Sequence, residues 1–334
     1  MPKLIIKFNA MKKAINNLKA RYLSNYRDYW TTLRNFGLKG LSIDIKNRRK
    51  IWSIKSLIKL DKSRNESRTS ISDVPEYVQI CKMASESELI LNSFKSCYEY
   101  RLVLEHVTRY QGLQYLNFIV NDFTIVEMMK RISSKEIGNP LKYPFPFIGD
   151  ISPTQIRYAK IVRDIKFLFQ NLDFNNVIEV GIGNGTLSAQ ISDYFKVDSY
   201  TLVDLPSVIN LAKKVLKPYY IQTEYKFINS GESVDKRFDL FISNYAFSEL
   251  GKESQNFYLE HFIKKSKSGY MLYNHIHENA DFSYTAIQML EKIPNSKLFK
   301  ESPKTYDGNV VLCWGISKNT RFEEFEEICN SSSR

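Results

Sequence analysis

Cysteine is scarce in this sequence, with four in 334 residues. Cys81, Cys97, Cys313 and Cys329 stand far apart, with no C-x-x-C pair among them. That spacing excludes a disulfide framework and a cysteine zinc site, so a reducing compartment is expected. Ten prolines and thirteen glycines are too few for a linker-rich chain, and no internal repeat is visible. No apolar run approaches the roughly 18 residues of a spanning helix. The opening Met1-Pro2-Lys3-Leu4-Ile5-Ile6-Lys7 is too short and too interrupted for the apolar core of a signal peptide. The expected location is therefore the cytoplasm.

Charge is abundant but lopsided. Residues 1–70 hold 18 Lys/Arg against 4 Asp/Glu, whereas the remaining 264 hold 30 against 32. The net +12 of the chain thus belongs to an N-terminal arm. Such an arm can be a solvated leader, or can attach to an anionic membrane surface or nucleic acid. Tyr22, Tyr26, Tyr29, Trp30 and Trp52 lie among its basic residues, which suits peripheral contact with the inner face of a membrane better than a bare charged tail. Nucleic acid is not the expected partner, because the body is slightly acidic; a homo-oligomer is compatible with the sequence.

Apolar spacing predicts a basic amphipathic helix over residues 4–36 and a polar linker over 61–73. It predicts further helix from Val74 to about Arg131, with Leu89, Ile90, Phe94, Leu102, Leu104, Val107, Leu113, Leu116, Ile119 and Ile125 as core. Gly138-Asn139-Pro140 and Pro144-Phe145-Pro146-Phe147 break that pattern. Ser152-Pro153-Thr154 reads as a helix start running to Phe169. Strands then alternate with helices: strands at Val177–Val180, Tyr200–Val203, Tyr225–Ile228, Leu240–Ser243, Tyr270–Tyr273 and Val310–Gly315. The helices lie near Thr186–Phe195, Ser207–Val215, Gln255–Lys264 and Tyr284–Lys292. The last strand pairs with Lys297–Glu301 as a hairpin. This alternation predicts an α/β fold, a Rossmann-like and mostly parallel sheet ending in an antiparallel hairpin, behind a helical N-terminal region. The expected organisation is a basic arm (1–70), a helical cap over substrate (71–150), a cofactor-binding domain (151–320) and a tail (321–334).

Val177-Ile178-Glu179-Val180-Gly181-Ile182-Gly183-Asn184-Gly185-Thr186 carries the chemistry. Glycines at 181, 183 and 185 let the backbone turn sharply and approach a ligand closely, at the N-terminus of a helix. A dinucleotide site would want Gly or Ala where Thr186 stands. On the second strand, Asp204 of Thr201-Leu202-Val203-Asp204-Leu205-Pro206 is placed to accept both hydroxyls of a ribose. Alone, the first feature can be a plain tight turn and the second a solvated acid; consecutive strands join them into one site.

E-x-G-x-G-x-G resembles the cofactor fingerprint of class I S-adenosylmethionine-dependent methyltransferases. The run Phe238-Asp239-Leu240-Phe241-Ile242-Ser243-Asn244-Tyr245-Ala246-Phe247-Ser248-Glu249-Leu250 is similar to the sugar O-methyltransferase family typified by deoxysugar methyltransferases of polyketide antibiotic pathways. So are Gln255–Tyr258, Ser268-Gly269-Tyr270-Met271-Leu272-Tyr273-Asn274, Ile137-Gly138-Asn139-Pro140 and Ile151-Ser152-Pro153-Thr154-Gln155-Ile156-Arg157-Tyr158, so that the resemblance spans about residues 130–315. The first loop departs from it, lacking the family's aromatic and two further glycines.

The resemblance implies S-adenosylmethionine as cofactor, S-adenosylhomocysteine as product and a sugar or glycoconjugate as acceptor. Glu179 would order the loop and reach the methionyl amino group. Gly181, Gly183, Asn184, Gly185, Asp204, Leu205, Asn229, Ser230, Asn244, Tyr245 and Arg157 would complete the cofactor site, Arg157 by pairing with the cofactor carboxylate. A sugar hydroxyl needs a base, and candidates at the ends of the fourth and fifth strands are His275, Glu249, His277, Glu278 and Asp281. His275, then Glu249, are the expected catalytic residues; Asn274, His277 and Tyr158 are expected against the substrate. Asn274, His275, His277 and Glu278 could ligate a divalent metal, but their spacing matches no ligand pattern and no metal is assigned. RNA methylation and a catalytically silent binding module are the rival readings.

Overall fold

The computed structural model of the chain describes residues 26–54, 74–170, 172–219, 223–274, 282–317 and 325. Two units are distinguished, Met1–Arg48 and Arg49–Arg334. The predicted helix over 4–36 falls largely outside the described residues. Helix is present from Tyr26 to Arg48 (α1), running on past residue 36. Gly37 interrupts it with φ 63° and ψ −168°. Thr32 Oγ1 donates to Asp44 Oδ2 at 2.6 Å. In a straight helix those residues would stand about 18 Å apart, so the chain turns back at Gly37. The predicted linker at 61–73 also lies outside the described residues.

In the second unit, short helices form a cap: Pro75–Glu86 (α2), Glu88–Leu91 (α3), Tyr98–Val103 (α4), Arg109–Ile119 (α5) and Phe123–Ser134 (α6). Residues 51–54, placed with the arm by the sequence, join this cap. Ile54 is fully buried and its N–H donates to Glu99 Oε2 at 3.1 Å, while Trp52 bridges to Cys97. Two helix starts are closed by side chains, a reciprocal Thr108/Gln111 capping box on α5 and Asp122 on α6. Phe94, Leu116, Ile119 and Ile125 are core as predicted, but Leu89 and Leu102 are 81% and 58% exposed. The cause is the shortness of α3 and α4, since each break restarts the helical phase and one apolar period cannot be carried across them.

A buried polar seam runs from the cap to the helices Pro153–Leu168 and Thr186–Phe195. Lys95, 1% exposed, donates to Glu136 Oε1 at 2.7 Å and stands 4.0 Å from Glu105. Gln155 Nε2 donates to the same Glu136 oxygen at 2.9 Å, and Gln190 Nε2 donates to Gln155 Oε1 at 2.6 Å. Burial alone would lower the Lys95 pKa; Glu136 and Glu105 outweigh it and hold the ammonium above its ordinary value.

Where the prolines break the helical pattern, the chain forms a two-stranded hairpin that sequence reading missed, Tyr143–Phe145 (β1) against Gly149–Ile151 (β2). Proline is tolerated in so short a pair, and Phe147 (φ 65°) and Gly149 (φ 83°) make the turn. Pro153–Leu168 (α7) follows, with Pro153 in its first turn and Ser152 Oγ accepting from Thr154 N at 3.3 Å.

The α/β alternation appears as predicted: Asn176–Val180 (β3), Thr186–Phe195 (α8), Ser199–Asp204 (β4), Pro206–Leu216 (α9), Glu224–Asn229 (β5), Phe238–Asn244 (β6), Lys252–Tyr258 (α10), Ser266–Tyr273 (β7), Ala286–Lys292 (α11), Lys297–Lys300 (β8) and Val310–Trp314 (β9). The sheet order is β5-β4-β3-β6-β7-β9-β8. β3 to β7 pair in parallel, while β9 enters antiparallel between β7 and β8. This is a Rossmann-like, mostly parallel sheet, with the strand order switching between β3 and β6. β3, β4 and β7 are buried almost throughout because both faces are covered. At the reversed strand, Gly269 lies opposite Trp314, and a Cβ on Gly269 would fall 2.0 Å from the indole. The indole also rests 5.8 Å from the Phe241 ring and donates to Ser266 O at 3.2 Å.

Candidate active site

Ligands of open α/β sheets bind beyond the carboxyl ends of the strands, where the strand order switches. A cavity of about 960 Å³ lies there. One wall is made by strand tips, the other by the cap.

On the first wall, the glycine loop follows β3 with positive φ at Gly181 (79°), Gly183 (54°) and Gly185 (80°). Close packing adds a second reason for glycine, since a Cβ on Gly181 would meet Ala246 at 2.0 Å and one on Gly183 would meet Leu104 at 2.7 Å. Gly181 and Gly183 line the cavity. Asn184 is 2% exposed; its Oδ1 accepts from Thr186 N at 2.9 Å and its Nδ2 donates to Tyr100 OH at 2.9 Å. Asn184 therefore closes the start of α8 and ties the loop to α4.

Asp204 stands at the tip of β4 on the cavity wall. Its Oδ2 accepts from Gly183 N at 3.0 Å and its Oδ1 from Leu205 N at 2.7 Å. One carboxylate thus holds the glycine loop and the turn after β4 together. Leu205 and Ser230 also line the cavity. Asn229 instead donates its Nδ2 to Glu232 Oε1 at 3.2 Å and is not on the wall.

Glu179 is not on the cavity wall. Its Oε2 accepts from Ser188 Oγ at 2.7 Å and Tyr200 OH at 2.8 Å, with the residue 1% exposed. Burial pushes its carboxyl up to about 7, against the hydrogen bonds from Ser188 and Tyr200, with Asp204 adding to the rise.

Beyond β6, Asn244 and Tyr245 both reach the cavity. Asn244 Oδ1 is buried with no partner among the described residues. Tyr245 holds φ 69°, uncommon for a bulky residue. Its hydroxyl donates to Glu301 Oε1, which is 6% exposed and whose Oε2 accepts from Thr305 N at 3.0 Å. Glu249 lies on the wall, its Oε1 accepting from Asn274 Nδ2 at 2.6 Å, and Asn274 N donates to Ser248 Oγ at 3.0 Å. His275, His277, Glu278 and Asp281 lie outside the described residues.

The second wall was not legible. Tyr77 of α2, Leu104, His106 and Val107, and Gln111 and Tyr115 of α5 face the strand tips. Arg157 of α7 completes it; Tyr158 is buried beside it and is not on the wall. No motif marks His106 or Tyr115, and only the packing of the cap over the strand tips selects them. Among the described residues no cluster of His, Cys, Asp or Glu could hold a metal ion.

No family model matches the sequence, and no curated relative matches it. Among solved structures, the methyltransferase domain of bacterial CtHen1 aligns at 16% identity over 47% of this chain and 96% of that one, with a TM-score of 0.37. Human N-acetylserotonin methyltransferase in complex with SAM aligns at 14% over 62% of this chain and 63% of that one, TM-score 0.38. The pyocyanin biosynthetic protein PhzM aligns at 10% over 48% and 56%, TM-score 0.35.

Proposed function

We propose that the chain is an S-adenosylmethionine-dependent O-methyltransferase acting on a hydroxyl of a sugar or glycoconjugate. The observation that carries the cofactor reading is the join of glycine loop and Asp204 across adjacent strand tips, at the mouth of the cavity. The residues fit the group: loop glycines allow backbone approach, Asp204 is a ribose acceptor, and the unpartnered Asn244 Oδ1 can take an N–H of the methionyl amine. When bound, the cofactor supplies an already activated methyl. The chain then has to align an acceptor oxygen with it and receive a proton. Glu249 is the described carboxylate on the wall beside Asn274; His275, next in sequence, is the alternative base. Glu179 supports this site from behind, through α8 and β4. The sugar acceptor rests on sequence resemblance over about residues 130–315. Peripheral attachment of the basic arm to an anionic membrane is part of the same proposal and rests on its charge.

Calorimetry with S-adenosylhomocysteine tests the cofactor half. Asp204→Ala should weaken binding by about 1.5–3 kcal/mol, the scale of hydrogen bonds to a charged group. No measurable binding to the unaltered chain would overturn the reading. Labelled methyl transfer to a panel of free and nucleotide-linked sugars tests the acceptor half, and transfer to RNA instead would favour the rival.

A further inference from the structure

An unmet hydroxyl stands inside the cavity. Tyr115 of α5 is 3% exposed and lines the wall, and its hydroxyl has no hydrogen-bond partner among the described residues. A hydroxyl taken out of water without a partner is a cost to the fold that a ligand can offset. Burial raises its pKa, so the group stays protonated and able to donate; the Arg157 charge opposes that rise and Glu301 adds to it. Tyr115 therefore lies within electrostatic reach of Glu301, at the end of the cavity lined by the loop between β8 and β9.

Glu301 braces that loop. Its Oε2 accepts from Thr305 N at 3.0 Å and from Thr305 Oγ1 at 2.5 Å. Asn309 Nδ2 donates to Thr305 Oγ1 at 3.0 Å, and Asn309 N donates to Tyr306 O at 3.4 Å. Thr305, Tyr306 and Asn309 all line the cavity. The chain is thus tied on both sides of Tyr306, yet that residue is 61% exposed. Among the described residues Leu38, Leu89, Leu102, Phe123, Phe147 and Ile287 are also more than half exposed, and of these only Leu102 is on the wall. Leu102 lies two residues from Leu104, which packs at Gly183, so it belongs with the glycine loop. Tyr306 remains as an aromatic face held at the Glu301 end, on a loop that also brings Thr305 and Asn309 to the wall.

We infer that Tyr115 and Tyr306 form the acceptor subsite of this cavity and that it takes a pyranose ring, its apolar face on Tyr306 and one of its hydroxyls on Tyr115. The inference rests on the sugar-methyltransferase reading and gives it two residues that no motif marks. The C–H bonds on one face of a pyranose carry slight positive charge, which suits the negative face of an aromatic ring. Polar groups set around an apolar platform then fix the orientation of the ring. A simple phenol would stack on Tyr306 as well. Its single hydroxyl, however, is the one to be methylated, and Tyr115 would stay unmet. A pyranose offers one hydroxyl to the methyl and another to Tyr115.

Ligand-detected NMR titration of the full chain loaded with S-adenosylhomocysteine tests this. The probes are the methyl glycosides of glucose, galactose and rhamnose, with phenol as the flat ring that lacks a second hydroxyl. At least one glycoside should bind, and more tightly than phenol. Tyr306→Ser should weaken that glycoside about tenfold, and Tyr115→Phe about threefold or more, the loss of one hydrogen bond. S-adenosylhomocysteine affinity should hold in both variants. Phe147→Ser, which removes an aromatic 88% exposed and off the wall, should leave glycoside binding unchanged. Binding of no glycoside, or an undiminished affinity in either tyrosine variant, overturns the subsite. Phenol bound as tightly as the best glycoside, and lost in Tyr306→Ser, overturns the pyranose in favour of an aromatic acceptor. If Tyr115→Phe fails to fold, the exposed Tyr306→Ser decides alone. If the unaltered chain does not bind S-adenosylhomocysteine, the methyltransferase reading falls by itself, and the same glycosides titrated on the unloaded chain still decide the subsite.

Discussion

The two walls of the cavity are built by opposite means. The strand-tip wall offers backbone and one carboxylate, held by a sheet whose strands are apolar and buried on both sides. The cap wall offers side chains, held by helices of as few as four residues and by a seam of buried charge. The first kind of wall follows from local sequence, because a glycine loop and a strand-end acid are set by their own neighbours. The second follows from distant pairs, such as Lys95 with Glu136 and Arg157 with His106, which no window of sequence contains.

Substitution can break this contrast, most sharply at Lys95. If the seam holds the cap, Lys95→Met should cost about 3–5 kcal/mol, because Glu136 and Glu105 lose the cation they share. Urea unfolding measures this. A loss under about 1 kcal/mol would show that apolar contacts hold the cap and that the two walls differ less than described.

Behind the strand tips, Glu179 gives the next effect. Its folded carboxyl sits near 7, above its ordinary 4.5, so between those values the folded chain keeps a proton that the unfolded chain has released. Its contribution to stability is whole below about pH 4.5 and is lost as pH rises through about 7, up to about 3 kcal/mol. Glu179→Gln keeps an acceptor oxygen for Ser188 and Tyr200 and should remove that slope. The difference between the two unfolding profiles across pH 4.5–7 is the measurement, and parallel profiles would mean that Glu179 is ionised in the fold.

Tyr245 joins the walls and should show the smallest effect. Tyr245→Phe loses the hydrogen bond to Glu301 and the 3.3 Å contact with Thr305 Oγ1, while Glu301 keeps its Thr305 donors. About 0.5–1.5 kcal/mol of stability should go. A larger loss would mean that the left-handed turn at Tyr245 depends on that bond.

The sheet was legible nearly element by element, because strands buried on both faces leave apolar runs and their turns leave glycine and proline. The join of Gly183 to Asp204 was legible as two motifs on consecutive strands. The partners of Glu179 were not: its spacing in the fingerprint says nothing of Ser188 and Tyr200, which hold its carboxyl. The β1–β2 hairpin escaped because prolines argue against strands, yet a three-residue pair needs few donors. Leu89 and Leu102 were assigned to the core by a period that their short helices do not sustain. His106 and Tyr115 carry no local signature, since their surroundings exist only once the cap has closed over the strands.

Trp314 and Gly269 have a consequence for descent. The indole occupies the space in which any side chain at 269 would stand, so the two positions form one unit of inheritance. A lineage can enlarge residue 269 only after residue 314 has become small, and each intermediate carries either a clash or a hole between β7 and β9. Positions bound in this way drift slowly and together. In relatives too divergent to align elsewhere, this glycine–tryptophan pair across the reversed strand should outlast the loop residues that choose the substrate.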